Sequence, residues 1–150
     1  MLKETSSILE LPGKGAGLEA LARLAAQQLI ALAMEAEITT SIEPYRQIKT
    51  AVGKAAVVRN GYLSERTISS TVGPLTVKVP RNRSLVPSIK PFVSALIPKY
   101  MRKTLHIEES LPLFYLCGLS DNDFIPAFEQ LFGELPAGFS STSITPVKYL

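Results

Sequence analysis

The chain has 150 residues, 46% of them hydrophobic, and its 16 basic and 13 acidic residues leave a net charge of only +3 at pH 7. This length and apolar content can bury a core in one domain of ordinary size or in two small modules. The longest uncharged helical run, residues 24–34, is too short to cross a bilayer, and the N-terminus has no apolar stretch of signal-peptide quality. We therefore expect a cytoplasmic protein with no membrane partner.

The basic residues are concentrated in the middle of the chain. Between Pro44 and Lys103 there are 12 basic residues and a single acid, Glu65, whereas both flanks are acidic. One such charge would be explained by solubility alone, but a merely solvated surface normally mixes both signs. A basic block between acidic flanks therefore indicates a polyanionic partner.

The first segment, residues 1–43, contains a predicted long amphipathic helix over about 17–42. Its apolar residues recur at i, i+3, i+4 and i+7, whereas Glu35 and Glu37 are expected to face solvent, and Pro44 ends the helix. The apolar stripe consists of Leu18, Leu21, Ala22, Ala25, Leu29, Leu32, Ala33 and Ala36. The same spacing is produced by a helix that packs on its own domain and by a dimerisation helix, so both interpretations stay open.

The second segment, residues 44–103, predicts one basic β-hairpin followed, beyond Pro80, by a proline-punctuated linker or short helices. Two alternating runs meet at Gly73-Pro74, which can form a tight turn because glycine tolerates positive φ. A lone hairpin is marginal in water, so its apolar face is expected to pack on helices and its polar face to meet solvent or a phosphate backbone. The candidate DNA-binding residues of this segment are Arg59, Arg66, Lys78, Arg81 and Arg83.

The third segment, residues 104–150, predicts three short helices. Ser110 can cap the first, over 111–117, Gly118 can end it, and Ser120 can cap a second. The second helix has an apolar stripe of Phe124, Ile125, Phe128, Leu131 and Phe132, and the third, over 141–150, contains the DNA-binding candidates Ser143, Thr145 and Lys148. Three short helices joined by a glycine-containing turn are typical of helix-turn-helix DNA-binding modules and, equally, of inert helical cores.

Few residues could carry chemistry. Cys117 has leucine neighbours and is expected to be a buried structural thiol. His106 is expected at the surface or facing DNA, and Asp121 and Asp123 share one capping turn, where the helix dipole explains them better than a metal does. We therefore expect no catalytic residue, no metal site and no cofactor in this chain.

Several ordered motifs resemble one known family. They are residues 59–62 (RNGY), 65–67 (ERT), 72–73 (VG), 75–81 (LTVKVPR), 118–120 (GLS) and 131–133 (LFG). In order and spacing they resemble the N-terminal part of the mutator-type transposases of bacterial insertion sequences, from near Met34 to about Lys148.

The resemblance implies a DNA-binding portion that recognises the terminal inverted repeats of a mobile element. In the family, a ribonuclease-H-like domain follows, with three carboxylates that hold Mg²⁺, and we expect those carboxylates outside this chain, which would be inactive alone. Pro146 stands where the family has a DNA-contacting arginine, which implies weak sequence selectivity. The implied partners are double-stranded DNA at the element ends and, as further options, a second copy or a full-length transposase, at the bacterial nucleoid.

The predicted fold class is therefore mainly α with one β-hairpin (α+β): a long N-terminal helix, a basic hairpin region and a helix-turn-helix-like segment. The alternative function is a protein-interaction or dimerisation module with an incidental basic surface. A third interpretation is RNA binding, in which aromatic rings among the basic residues serve as stacking surfaces, although burial in a core explains such rings more simply. The rings in question are Tyr45, Tyr62, Phe92 and Tyr100.

Overall fold

The computed structural model describes residues 17–133, and it confirms the α+β class. A long helix α1 (Leu18–Ile42) and a short 3-10 helix (Glu43–Tyr45) precede four strands, and two helices follow them. The later elements are β1 (Val57–Tyr62), β2 (Arg66–Ser70), β3 (Gly73–Val77), β4 (Pro80–Ser84), α2 (Leu105–Leu116) and α3 (Asp121–Phe132). The predicted third helix, with Ser143, Thr145, Pro146 and Lys148, lies outside the described residues.

The chain forms two compact units. The basic unit contains Gln27–Arg66 and Val77–Tyr100, and the helical unit contains, of the described residues, 17–26, Thr67–Thr76 and 101–133. The predicted division after residues 43 and 103 stays a prediction.

The four strands form two separate antiparallel pairs, β1 with β4 and β2 with β3, where the sequence predicted one hairpin. The predicted turn at Gly73-Pro74 is wrong, because Thr71 and Val72 form the turn and Gly73 opens β3. The observed turn lies two residues before the predicted one, and an even displacement leaves each side chain on the predicted face of the hairpin. The apolar positions of the hairpin are therefore still buried, as Ile68, Leu75, Val77 and Val79 show.

Gly73 has a backbone conformation that residues with a side chain rarely adopt. Its φ is 103°, and a Cβ atom there would lie 2.8 Å from Nε of Arg23. That guanidinium donates to the carbonyl of Val72 at 3.1 Å, which fixes the turn of the hairpin within the helical unit. The backbone conformation therefore favours glycine at this position, and a Cβ would in addition displace the Arg23 guanidinium.

The stretch beyond Pro80 begins as a strand and not as the predicted linker, because β4 pairs with β1. The paired residues are Val57 with Ser84, Val58 with Arg83, Arg59 with Asn82 and Tyr62 with Pro80, and the register shifts between Arg59 and Tyr62. The pairing was missed because it joins residues far apart in sequence, which alternation alone does not reveal.

Helix α2 begins at Leu105, six residues before the predicted start at 111. Thr104 precedes it and is tied to β2, since its N–H donates to the carbonyl of Ser69 at 2.9 Å, and its own carbonyl accepts Glu108 N–H at 3.1 Å. The longer helix places Ile107 beside Leu111, four residues on, and both are fully buried. Burial of this apolar pair favours the earlier start.

The core of the helical unit lies between α2 and α3. It consists of Ile107, Leu111, Phe124 and Phe128. The Phe114 ring packs edge-on against the Phe124 ring, with ring centroids 5.5 Å apart. The stripe predicted for α3 is thus confirmed at Phe124 and Phe128, whereas Leu131 is 59% exposed.

A short turn that contains Gly118, with φ 87°, joins the two helices as predicted. Ser120 occupies the N-cap of α3, but its hydroxyl donates to Asp123 Oδ2 at 2.5 Å and not to the backbone. Cys117 is exposed, so the prediction of a buried thiol is wrong. It follows the last residue of α2, beyond the part of the helix that faces the core.

Helix α1 confirms the predicted bounds but not the predicted faces. Its buried residues are Met34 and Ile38, whereas Leu29 and Leu32 of the predicted stripe are 65% and 58% exposed. Glu35 and Glu37, predicted to face solvent, are half-buried. Across the described residues, no helix is both long enough and apolar enough to cross a membrane.

Candidate nucleic-acid interface

The two units differ in charge. The basic unit contains ten basic and four acidic residues, and ten minus four leaves +6. The described part of the helical unit contains three basic and six acidic residues, and three minus six leaves −3. A surface for a polyanion is therefore to be sought in the basic unit.

The β1–β4 ribbon presents two arginines on one exposed face. Arg81 and Arg83 are two residues apart on β4, and residues at that spacing point to the same side of a strand. Both are exposed, and exposed Val58 lies opposite Arg83. Arg81 Nε donates to the carbonyl of Asn60 at 2.7 Å, a contact that uses one of the five guanidinium donors. Among residues 17–133, Arg83 has no ion-pair partner.

The opposite face of the ribbon is used for internal contacts. Arg59, paired with Asn82, forms a bidentate contact with Glu35 of α1, with Nη2 donating to Oε1 at 2.6 Å. Tyr62 donates its hydroxyl to the same Glu35 oxygen at 2.7 Å, and the Arg59 guanidinium lies 5.2 Å from its ring centre. This cluster fixes β1 to α1.

The cluster shifts the titration of its members. The hydrogen bond from Arg59 is the main reason that the pKa of Glu35 lies below its ordinary value, with the Tyr62 hydroxyl adding to the effect. The same carboxylate raises the pKa of Tyr62. Arg59 is therefore a cation already balanced by an anion.

A second glutamate of α1 fixes the segment after β4. Burial alone would raise the pKa of Glu37, but donors from Ser94 and the backbone of Ala95 and Leu96 outweigh it and hold that pKa below its ordinary value. Ser94 Oγ donates at 2.5 Å and Ala95 N–H at 2.6 Å. Asn82 Oδ1 accepts Phe92 N–H at 2.8 Å. Residues 92–95 are therefore bound both to β4 and to α1.

The remaining two candidates of the basic block make other contacts. Arg66 donates Nη2 to the carbonyls of Ile97 and Pro98, at 3.3 and 2.9 Å. Lys78 Nζ lies 3.5 Å from Glu65 Oε2. Both side chains are more than half exposed, so this ion pair contributes little to stability.

Of the predicted DNA-binding residues, the structure thus brings Arg81 and Arg83 together on one face and places Arg59 on the other. Sequence reasoning treated these arginines alike and missed Glu35 and Asn82, which organise the inner face. The alternation of the strand was the available signal, but it required the pairing with β1. Contact of any of these residues with DNA stays a prediction.

The profile of the family described as "Transposase, Mutator family" matches residues 3–148. The chain belongs to the Mutator family of transposases. The transposase for insertion sequence element IS6120 of Mycolicibacterium smegmatis is 56% identical over 39 residues, which are 26% of this chain and 12% of that protein. This transposase chain is thus matched to a small part of that relative's length. The resemblance stated from the motifs is confirmed.

In this Mutator-family chain, the described parts of α2 and α3 contain no lysine or arginine. Asp123 accepts the Ser120 hydroxyl in the first turn of α3, where the helix dipole favours a carboxylate. Within residues 17–133 no three His, Cys, Asp or Glu side chains are grouped so that they could hold a metal ion.

Proposed function

We propose that this transposase chain binds duplex DNA at the terminal inverted repeats of its mobile element, mainly through the exposed face of the β1–β4 ribbon. The observation that supports this most is the pair Arg81 and Arg83, exposed together on a unit of charge +6. Phosphate neutralisation by such residues supplies nearly all of the non-specific affinity for DNA and a large share of the specific affinity.

The shape of the ribbon is suited to this role. A two-stranded antiparallel ribbon fits the major groove, which is about 12 Å wide. Arg81 and Arg83 lie about 7 Å apart along β4, at the usual rise of a strand. A guanidinium can bind phosphate or a guanine edge through two parallel hydrogen bonds, so both positioning and base contact are open to these residues.

We propose a supporting and not a reading role for α2 and α3. Their turn resembles that of helix-turn-helix modules. However, the exposed surface of α3 includes Asp123 and Glu129, and a carboxylate facing a phosphate backbone is repelled. The segment after α3 has its own candidates for contact with DNA, namely Ser143, Thr145 and Lys148.

Two neighbouring arginines on opposite faces provide a matched test. Arg83→Gln and Arg59→Gln remove the same charge at adjacent rungs of one ladder. In a salt titration with a repeat-containing duplex, we expect Arg83→Gln to reduce the slope of log K against log salt by about 0.9, the value for one phosphate. Arg59→Gln should leave the slope nearly unchanged and lower the melting temperature instead, because it breaks the contact with Glu35.

The proposal fails if wild-type protein does not bind duplex DNA at low salt, or if its affinity does not fall as salt rises. Equal slope changes in the two variants would contradict the assignment to one face of the ribbon. Preference for the repeat is measured separately, by competition with a scrambled duplex at one fixed salt concentration.

We further propose that the activity of this 150-residue chain is binding, without cleavage. Phosphodiester attack in metal-dependent transposases requires carboxylates that hold Mg²⁺. The helix dipole and the Ser120 hydroxyl explain the Asp123 carboxylate without a metal. Incubation of the purified chain with duplex ends and Mg²⁺ should give neither nicked nor joined DNA. Cleavage that disappears in Asp123→Asn would contradict this.

A second candidate function, self-association, is favoured by the exposed stripe of α1. Leu29, Leu32, Ala33 and Ala36 follow the helical spacing i, i+3, i+4 and i+7, and all four are exposed. A stripe without charges is self-complementary, so a second copy of the same helix can cover it. Sedimentation of the wild-type chain should then show a dimer, and Leu32→Glu should give a monomer with an unchanged melting curve. A monomer in both cases contradicts this candidate.

A further inference from the structure

The basic unit contains an open groove of about 680 Å³ that no part of the proposed duplex contact uses. It lies between the residues after β1 and the segment 91–100. Its walls include Leu63, Phe92 and Val93, and Leu63 and Val93 are 50% and 67% exposed. Solvated apolar walls of this kind favour a ligand with an apolar surface.

The groove is also positively charged. Arg66 and Lys99 line it, and none of its lining residues is acidic. The guanidinium of Arg66 donates to the backbone carbonyls of Ile97 and Pro98, which are neutral, so these bonds orient the cation without cancelling its charge. The ligand that matches such a groove therefore combines an apolar surface with negative charge.

Tyr100 stands at this groove in an unusual conformation. Its φ of 70° makes it the one non-glycine residue with positive φ among residues 17–133. Its side chain is 77% exposed, so the expectation that this ring is buried in a core is wrong. Lys99 Nζ lies 5.1 Å from the ring centre. Backbone strain at an exposed aromatic residue beside a cation favours a binding role over a packing role.

We propose that this groove binds unpaired nucleotides of single-stranded DNA. Tyr100 and Phe92 would stack on bases, and Lys99 and Arg66 would attract the adjacent phosphates. Single strands expose both the flat faces of their bases and their phosphates, whereas a duplex covers the base faces by stacking. Aromatic platforms in a cationic groove are the usual means of binding single strands without reading sequence. This inference rests on the proposed function, because both take DNA as the partner. It adds single-stranded DNA to the duplex as a ligand of the basic unit.

The test compares three ligands, of which the two single strands carry equal charge and differ only in their bases. Fluorescence anisotropy is measured with a labelled oligothymidine strand, with a strand of the same length whose central nucleotides are abasic, and with a fully paired duplex. We expect removal of the bases to weaken binding about tenfold, within the range found for stacking on an aromatic side chain.

Variants of Tyr100 separate the ring from the fold. Tyr100→Asn removes the ring but suits the left-handed backbone, so the variant should fold with an unchanged melting curve. We expect it to weaken binding of oligothymidine about tenfold and duplex binding less than twofold. Tyr100→Phe keeps the ring and should bind like the wild type. Lys99→Ala should weaken single-strand binding more than Lys54→Ala, its matched control outside the groove.

The inference is overturned if Tyr100→Asn leaves single-strand binding unchanged or weakens duplex binding equally. It is also overturned if oligouridine RNA or an acidic peptide binds more than tenfold more tightly than oligothymidine. Failure of the proposed duplex binding would give a different result. The duplex would then not bind at low salt, while the single strand would still bind in a way that depends on its bases.

Discussion

The two compact units of this transposase chain use charge and aromatic residues in opposite ways. In the helical unit, phenylalanine rings are buried against each other between α2 and α3, and the exposed surface of α3 is acidic. In the basic unit, Tyr62 and Tyr100 are 50% and 77% exposed and each lies beside a cation. The comparison separates a part whose aromatic rings form a core from a part whose charge suits a polyanion.

The largest expected effect concerns the core of the helical unit. Phe128→Ala should lower the free energy of unfolding by about 3 to 5 kcal/mol, because it leaves a cavity at a fully buried ring. Urea unfolding followed by circular dichroism measures it. Leu131→Ala on the same helix is the control, and since Leu131 is 59% exposed, its effect should stay below about 0.5 kcal/mol. Equal losses in both variants would show that the core is misplaced.

An intermediate effect is expected at Glu35 in the basic unit. Glu35→Gln weakens a bidentate contact with Arg59 and should cost about 1 kcal/mol of stability. Glu43→Gln is the matched control, because its partner Arg46 is exposed and only three residues away. A control that loses as much as Glu35→Gln would contradict the role given to this cluster.

The same cluster predicts a dependence on pH. The pKa of Glu35 is lowered by folding, so the unfolded chain binds more protons in the acid range. Its stabilisation is therefore complete above the ordinary value of 4.5 and is lost as the pH falls through the lower folded value. Melting temperatures measured from pH 6 to pH 3 should fall less steeply in Glu35→Gln than in the wild type. Parallel curves would refute this.

The smallest expected effect sharpens the difference between α3 and the ribbon. Glu129→Gln removes a negative charge from the exposed surface of α3 and should change duplex affinity by less than about twofold if α3 does not approach the phosphates. Arg83→Gln, measured under the same conditions, should change both affinity and salt slope. An increase of more than fivefold for Glu129→Gln would place α3 at the DNA and contradict the assignment.

Local features of this fold were predictable from the sequence, and non-local ones were not. The bounds of α1 followed from helical periodicity and Pro44, and the buried stripe of α3 from the spacing of its phenylalanines. The partner of β1, the earlier start of α2 and the exposure of Cys117 depend on contacts between distant residues. The same holds for the candidate site. Arg81 and Arg83 were identified as basic, but only the pairing with β1 distinguishes them from Arg59, and the φ of Tyr100 leaves no trace in composition.

Strands β2 and β3 lie between β1 and β4 in the sequence, and this order affects which pair forms first. Pairing of Tyr62 with Pro80 closes a loop of 17 residues, 63–79, in the unfolded chain. Once the inner hairpin has formed around its two-residue turn, only residues 63–65 and 78–79 lie between the two strand pairs. By the logarithmic dependence of closure entropy on loop length, the inner pair lowers the cost of forming the outer one by about 1 kcal/mol. We therefore expect the β2–β3 hairpin to form first, and the β1–β4 ribbon to assemble late and to open early.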